Sequence, residues 1–359
     1  MFDLEKAKKQ KTKIQKRILD LSDEHKFMLL NLITGSGKTL ASLNIANKFN
    51  GTKWLILCKE TNHIEEWKKE IKKHKIKIDC EIICYASLHK IKGNYNIICD
   101  EAHAITVSKR NIISKQIKYD RIIFLTATLP DNKYQHLNIL SKNKLKVLTL
   151  DLNKAIELGI LPVPQLNVFR ISMSKTQLEK YKKIDQSVKN KSWEYNEDKS
   201  RKNYESLMFI ANKRKSIVAN FKIQKVKALI IFLRSKKTRF ICFCNSIDQL
   251  DIIKGSSKSY IHSKSDKKNQ RVIDDFNKKK YNELFTVKML TESANLVDIH
   301  EGIIVQLDKE PLTAIQRIGR VLRATVPVIN IYCVKDTMDE YYLNNSLQSI
   351  NKKYIKYHG

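Results

Sequence analysis

The chain has 359 residues, of which 42% are hydrophobic, with only nine glycines and five prolines; that is enough for two or three packed domains and excludes a low-complexity polypeptide. A formal net charge of +31 points to a polyanionic partner, nucleic acid first, although only 12 of the 68 basic residues are arginines, and so lysine-rich a surface is also what A/T-biased coding would give. No apolar run approaches the roughly 20 residues of a membrane span, the charged N-terminus is not expected to be a signal peptide, and seven cysteines without paired metal spacing read as free, buried thiols, so a cytoplasmic protein with no membrane attachment is expected.

Residues 1–20 read as an amphipathic helix. The apolar run Phe27–Ile33 reads as a buried strand, and Thr34-Gly35-Ser36-Gly37 as a turn, after which Lys38-Thr39 opens a helix with Leu40, Leu43 and Ala46 on its inner side. Strand, glycine turn, Lys-Thr and helix is what a nucleotide-phosphate loop needs: glycines let backbone N–H groups converge on phosphate oxygens, and the helix start adds partial positive charge. Lys38 is placed to reach the outer phosphates, and Thr39 to hold Mg²⁺ through its hydroxyl. A glycine turn before a surface helix would share the local pattern. The full motif also asks for a small residue where this chain has Leu32.

Strand-like and helix-like segments then alternate: strand Trp54–Cys58, helix Glu65–Lys73, strands Ile82–Tyr85 and Asn96–Cys99, a basic helix over Ser108–Lys118, and strands Arg121–Leu125 and Lys146–Leu150. Such alternation predicts a parallel sheet covered on both faces. The strand Asn96–Cys99 delivers Asp100-Glu101-Ala102-His103 to its C-terminal end, the edge where open α/β sheets bind ligands. Asp100 suits the Mg²⁺ that bridges β- and γ-phosphates, and Glu101 suits the orientation and deprotonation of an attacking water. Thr126-Ala127-Thr128 ends a further strand, where its hydroxyls could connect the carboxylates to whatever lies above.

Leu161-Pro162-Val163-Pro164 breaks the pattern and starts an extended segment to Ile171. Residues 175–222 are helical and polar; within 186–215, Trp193 and Tyr195 could stack on bases, though helical packing explains them equally. Alternation resumes with helix Lys225–Leu233, strand Arg239–Cys244, helix Ser246–Ile253, strand Ser259–His262, helix Asp266–Asn277, strands Phe285–Leu290 and Ile303–Leu307, a helix from Pro311 to Arg323, strand Val328–Cys333, and a helix from Asp336 onward. Gln316, Arg320 and Arg323, spaced by four and three, share one face of that Pro311–Arg323 helix, and guanidinium groups aimed at a γ-phosphate would neutralise charge developing in phosphoryl transfer.

GSGKT at 35–39, DEAH at 100–103, TAT at 126–128 and QRIGRVLR at 316–323 resemble motifs I, II, III and VI of the superfamily 2 helicases of the DEAD/DEAH-like group, in order and over nearly the whole chain. The resemblance implies two tandem RecA-like parallel-sheet domains of the α/β class with a helical connector, ATP and Mg²⁺ as cofactors, and nucleic acid as partner. It also implies that Gln15 reads adenine, that Thr34 to Thr39 hold the phosphates, and that Lys59, Ser87, Thr126, Thr128, Asn245 and Ser246 face nucleic acid. A motif V should carry a glycine, but Met289 to Leu296 has none, so Glu292 and Asn295 fit it only loosely. The pattern leans toward phage branch-migration and Swi/Snf-like translocases. The expected layout is a first RecA-like domain at 1–150, a connector with helical insertion at 151–224, a second domain at 225–345 and a helical tail at 346–359. The expected function is a monomeric, ATP-hydrolysing helicase or translocase acting on DNA rather than RNA; an RNA helicase, or an ATP-gated binding protein without unwinding, are the alternatives.

Overall fold

The computed structural model describes the chain apart from Met1, Thr128, Pro130 and residues 263–265, 288–295, 308–316, 320 and 323–325, and apart from the side chains at 62, 131, 266 and 267. It divides into two compact units, Met1–Leu161 and Pro162–Gly359.

The first unit runs α1 (Leu4–Glu24), β1 (Phe27–Leu32), α2 (Lys38–Lys48), β2 (Trp54–Cys58), α3 (Thr61–Lys73), β3 (Cys80–Cys84), β4 (Gly93–Asn94), β5 (Asn96–Cys99), α4 (Val107–Gln116), β6 (Ile117–Lys118), β7 (Ile122–Thr126), α5 (Asp131–Leu140), β8 (Lys146–Leu150) and α6 (Leu152–Glu157). Its main sheet has the order β3-β2-β5-β7-β1-β8, parallel throughout the described residues. Strands β2, β5 and β7 are buried at every position, as expected of strands with helices on both faces, and this is why they read as unbroken apolar runs. On one face Phe27, Leu29, Leu55, Leu57, Ile97 and Phe124 share a core with Ile105, Ile113 and Leu137. The parallel register carries the ends of β5, β7 and β1 to one edge. With strands about 4.8 Å apart, the turn after β1 and the loop after β5 are roughly 10 Å from each other across the end of β7.

The second unit comprises β9 (Gln165–Ile171), α7 (Lys175–Glu197), α8 (Arg201–Phe221), α9 (Ile223–Ser235), β10 (Phe240–Cys244), α10 (Ile247–Lys254), β11 (Tyr260–Ile261), α11 (Asp266–Asn277), β12 (Glu283–Val287), β13 (Glu301–Ile304), β14 (Val328–Val334), α12 (Met338–Leu347) and β15 (Ile355–His358). Its sheet, again parallel, has the order β11-β12-β10-β13-β14-β9-β15. α7 and α8 form a hairpin that is buried only at Tyr181, Val188, Val218 and Ala219.

Two expectations about organisation are corrected. Residues 165–171 are not connector but strand β9, paired with β14 on one side and β15 on the other; Leu166 and Val168 are fully buried, and Phe169 and Ile171 pack against the second unit's core. The C-terminal stretch is not a helical tail. After α12 it turns and adds β15 to the sheet, with His358 stacked on Phe169 at 4.8 Å and Phe169 on Tyr332 at 5.2 Å between ring centroids. The seven cysteines are free and all but Cys80 are buried; burial pushes the thiols of Cys58, Cys99 and Cys242 up, and that of Cys333 to about 12. Among the described residues no helix is long and apolar enough to cross a membrane.

Candidate active site

The turn between β1 and α2 is built on two left-handed glycines, Gly35 with φ +86° and Gly37 with φ +94°. Such φ values suit glycine, which has no Cβ to clash. At Gly37 space is restricted as well: a Cβ there would lie 2.4 Å from Gln15 Nε2, and Gln15 donates to the Gly37 carbonyl at 3.4 Å. Gln15 of α1 thus leans on the turn it was expected to accompany. Between the glycines, the buried Ser36 hydroxyl donates to the Ile33 carbonyl at 2.7 Å, which closes the loop from inside. Gly37 is the N-cap of α2, no side chain caps that turn, and Lys38 and Thr39 are half-buried in its first turn. Helix-start N–H groups and the positive end of the dipole therefore face the loop.

The acidic pair after β5 is held rigidly. Asp100 accepts the Trp67 indole N–H on Oδ2 at 2.9 Å and the Glu101 amide on Oδ1 at 3.0 Å, while its carbonyl accepts the Tyr85 hydroxyl at 2.9 Å. Glu101 is 6% exposed and takes a left-handed backbone, φ 47° and ψ 55°. For a non-glycine residue this conformation costs about 1 kcal/mol or more, and it concentrates at functional positions. Its Oε2 lies 3.4 Å from His103 Nδ1, and the same nitrogen is 3.4 Å from Thr126 Oγ1 at the end of β7. The fully buried Thr126 and the nearly buried Ala127 thus join the acidic loop through His103. One carboxylate and one hydroxyl, Asp100 and Thr39, are a donor set that suits Mg²⁺ only with phosphate oxygens and waters completing the shell. Among the described residues there is no group of three or more His, Cys, Asp or Glu side chains that could hold a metal ion.

Residues 221–325 match the helicase conserved C-terminal domain family, and residues 3–94 match the family of the type III restriction enzyme res subunit. The chain belongs to the superfamily 2 helicases. No curated protein matches the sequence. In fold, this helicase is similar to the Pyrococcus furiosus Hef helicase domain (15% identity, TM-score 0.59, covering 94% of this chain and 97% of that one). It is also similar to S. cerevisiae Dbp5 bound to RNA and ADP BeF3 (14%, 0.63, 96% and 89%). A third is the ATP-dependent type ISP restriction-modification enzyme LlaBIII bound to DNA (14%, 0.62, 97% and 31%). Both sheets are RecA-like in that company.

The remaining expected residues of the helicase sort by position. Lys59 follows β2 and is exposed. It is one of two lysines, with Lys133, whose charges act on Lys109; burial first, and then these two, hold the Lys109 ammonium below the usual lysine range. Lys109 Nζ lies 4.9 Å from the Tyr85 ring centroid. Ser87 is half-buried in the 3-10 turn Tyr85–Lys90. Ser246 caps α10, its hydroxyl accepting the Gln249 N–H at 3.2 Å, and the Asn245 N–H donates to Gln249 Oε1 at 2.7 Å. A cap therefore accounts for the Ser246 side chain. Trp193 is 64% exposed, whereas Tyr195 packs on Tyr204 across the hairpin at 5.7 Å and is not presented like the tryptophan. Thr128, Glu292, Asn295, Gln316, Arg320 and Arg323 lie outside the described residues.

Sequence reading missed two residues that shape the site and one that shapes the second unit. Trp67, on α3, fixes Asp100. Tyr85, read as the end of a strand, fixes the Asp100 backbone. Gly302 in β13 lies against Val321, whose Cγ2 a Cβ would approach to 2.6 Å; this lets the arginine-bearing segment pack onto the sheet. None of the three has a motif, because each acts through a neighbour distant in sequence.

Proposed function

We propose that this helicase is an ATP-driven motor that moves along or remodels nucleic acid, with DNA as the favoured track. The supporting observation is the arrangement at one edge of the first sheet, where a left-handed two-glycine turn and a helix start lie two strand spacings from a rigidly held Asp100 and a buried, strained Glu101. In this reading the amide groups of 34–39 and Lys38 bind the triphosphate, Gln15 contacts the adenine, and Thr39 and Asp100 hold Mg²⁺, which would neutralise charge on the β- and γ-oxygens. Glu101 takes the proton of the attacking water, and His103 passes the state of the acidic loop to Thr126. Arg320 and Arg323 supply positive charge to the γ-phosphate, Gln316 offers its amide as a hydrogen-bonding group beside them, and the protein works as a monomer. Lys59 and Ser87 grip the backbone by charge and hydrogen bonds, as do Thr128 and Asn245, so affinity falls with salt; Thr126, fully buried, and Ser246, engaged as a helix cap, do not make the contacts expected of them.

The test is ATP turnover titrated in parallel with single-stranded DNA, forked DNA, a four-way junction and RNA, in wild type, Lys38→Ala and Glu101→Gln. The expected result is turnover stimulated most by a DNA form, lost in both variants while nucleic-acid binding persists. Turnover retained in Glu101→Gln removes the water-activating role. Stimulation by RNA alone overturns the choice of track.

A further inference from the structure

One buried ion pair of the second unit has no part in the chemistry proposed above. Lys222, between α8 and α9, is fully buried, Asp339 in the first turn of α12 is 2% exposed, and Nζ lies 2.5 Å from Asp339 Oδ2. Lys222 also donates to the Val305 carbonyl and to Gln306 Oε1, each at 2.9 Å, so the three protons of the ammonium meet three acceptors. Gln306 Nε2 donates to Asp339 Oδ1 at 2.6 Å, and the Val334 N–H to Oδ2 at 2.9 Å. The Gln306 carbonyl, in turn, accepts Arg317 Nη1 at 2.8 Å.

Stability is a poor reason for such a pair. Both ions must be stripped of water, and an apolar pair of similar volume commonly serves the fold as well or better. What charge provides here is a fixed geometry. Gln306 is the shared member: its side chain is set from both ends by Lys222 and Asp339, while its backbone holds Arg317. Arg317 opens the described part of the segment that carries Arg320, and that part packs on the sheet through Val321 and Gly302.

We propose that Lys222 and Asp339 are positioning residues that fix, through Gln306, the placement of the arginine-bearing helix for hydrolysis. The inference rests on the motor reading for its consequence, but its geometric content can be read separately. A misplacement of 1 Å in a catalytic group costs on the order of 100-fold in rate, so loss of the pair should be visible in turnover.

The experiment compares wild type, Lys222→Met, Asp339→Leu, the double variant Lys222→Met/Asp339→Leu, and Gln306→Met, which leaves the ion pair in place. Stimulated ATPase, thermal melting and amide hydrogen exchange at residues 317–322 are measured for each. The single charge variants should melt lower. The double variant should melt near or above wild type, yet its kcat should stay at least about tenfold down, with KM for ATP little changed and exchange at 317–322 faster. Gln306→Met should copy that loss of kcat. Recovery of both kcat and exchange protection in the double variant would overturn the inference, as would wild-type kcat and protection in Gln306→Met. Should wild type itself turn over no faster than Lys38→Ala, the motor reading fails, and the exchange rates still decide whether the pair positions this helix.

Discussion

The indole N–H of Trp67 is bonded to Asp100 Oδ2 at 2.9 Å, tying a helix of the sheet's cover to the carboxylate proposed to hold Mg²⁺. A hydrogen bond to a charged group is worth about 1.5–3 kcal/mol, and here it restrains the carboxylate's rotation. Trp67→Phe keeps most of the packing and removes the donor. The variant should need about tenfold more Mg²⁺ for half-maximal ATPase, with a melting temperature a few degrees below wild type. An unchanged Mg²⁺ requirement would show that Asp100 is held well enough by its other contacts.

Gln15 and Gly37 offer a second check, because they touch. Gly37→Ala places a Cβ 2.4 Å from Gln15 Nε2 on a backbone at φ +94°, so the turn must distort, and nucleotide binding should be lost even when Gln15 is shortened. Gln15→Ala alone leaves the turn its glycine. It should raise KM for ATP by about tenfold, the worth of one or two hydrogen bonds, and narrow the preference for ATP over GTP. Steady-state kinetics with both nucleotides measure this; an unaltered preference would dissociate Gln15 from base reading.

Lys109 carries a pH prediction. Its ammonium is disfavoured by burial and by Lys133 and Lys59, so in the free protein it loses its proton below the ordinary lysine value of 10.5. A phosphate group beside the three lysines would restore the charged form. Nucleic-acid binding should therefore take up protons at alkaline pH and weaken as pH rises from neutral towards that value. Lys109→Ala should flatten this dependence and reduce the slope of log affinity against log salt by about one. Binding titrations across pH and salt decide it, and an identical pH profile in the variant would exclude Lys109.

The central parallel strands were legible because burial on both faces writes them as apolar runs: Trp54–Cys58 and Asn96–Cys99 have the bounds read from sequence, as does the edge strand Lys146–Leu150, which alternates instead between exposed and more buried positions. The phosphate turn was legible for a related reason, since few sequences place two glycines before Lys-Thr at a strand end. What escaped is what depends on tertiary partners. Residues 165–171 looked like a linker because Pro162 and Pro164 precede them, and nothing local announces that β14 and β15 flank them. The last residues looked helical because α12 is helical, whereas β15 exists only where β9 presents an edge. Trp67, Lys222 and Asp339 carry no motif; their roles arise from contacts 33 residues away in one case and more than 80 in the others.

Glu301 gives the last prediction. It sits in β13, and its Oε2 accepts Asn330 Nδ2 at 2.8 Å; Asn330 accepts from Asn167 at 3.1 Å, and Asn167 Oδ1 lies 3.2 Å from His358 Nε2. This polar ladder crosses four strands. Burial raises the Glu301 carboxyl above the ordinary 4.5, only partly offset by Asn330 and then His300. The native state therefore binds this proton more tightly than the unfolded chain does. Stability contributed by the neutral acid is present below the unfolded value and is lost as pH rises through the folded one. Glu301→Gln stays neutral at every pH and can offer its amide oxygen to Asn330. It should melt a few degrees above wild type at neutral pH, with the difference vanishing below about pH 4. Thermal melts of both proteins at the two pH values measure this, and a difference of the same size at each would mean that packing at position 301, not its charge, sets the stability of this ladder.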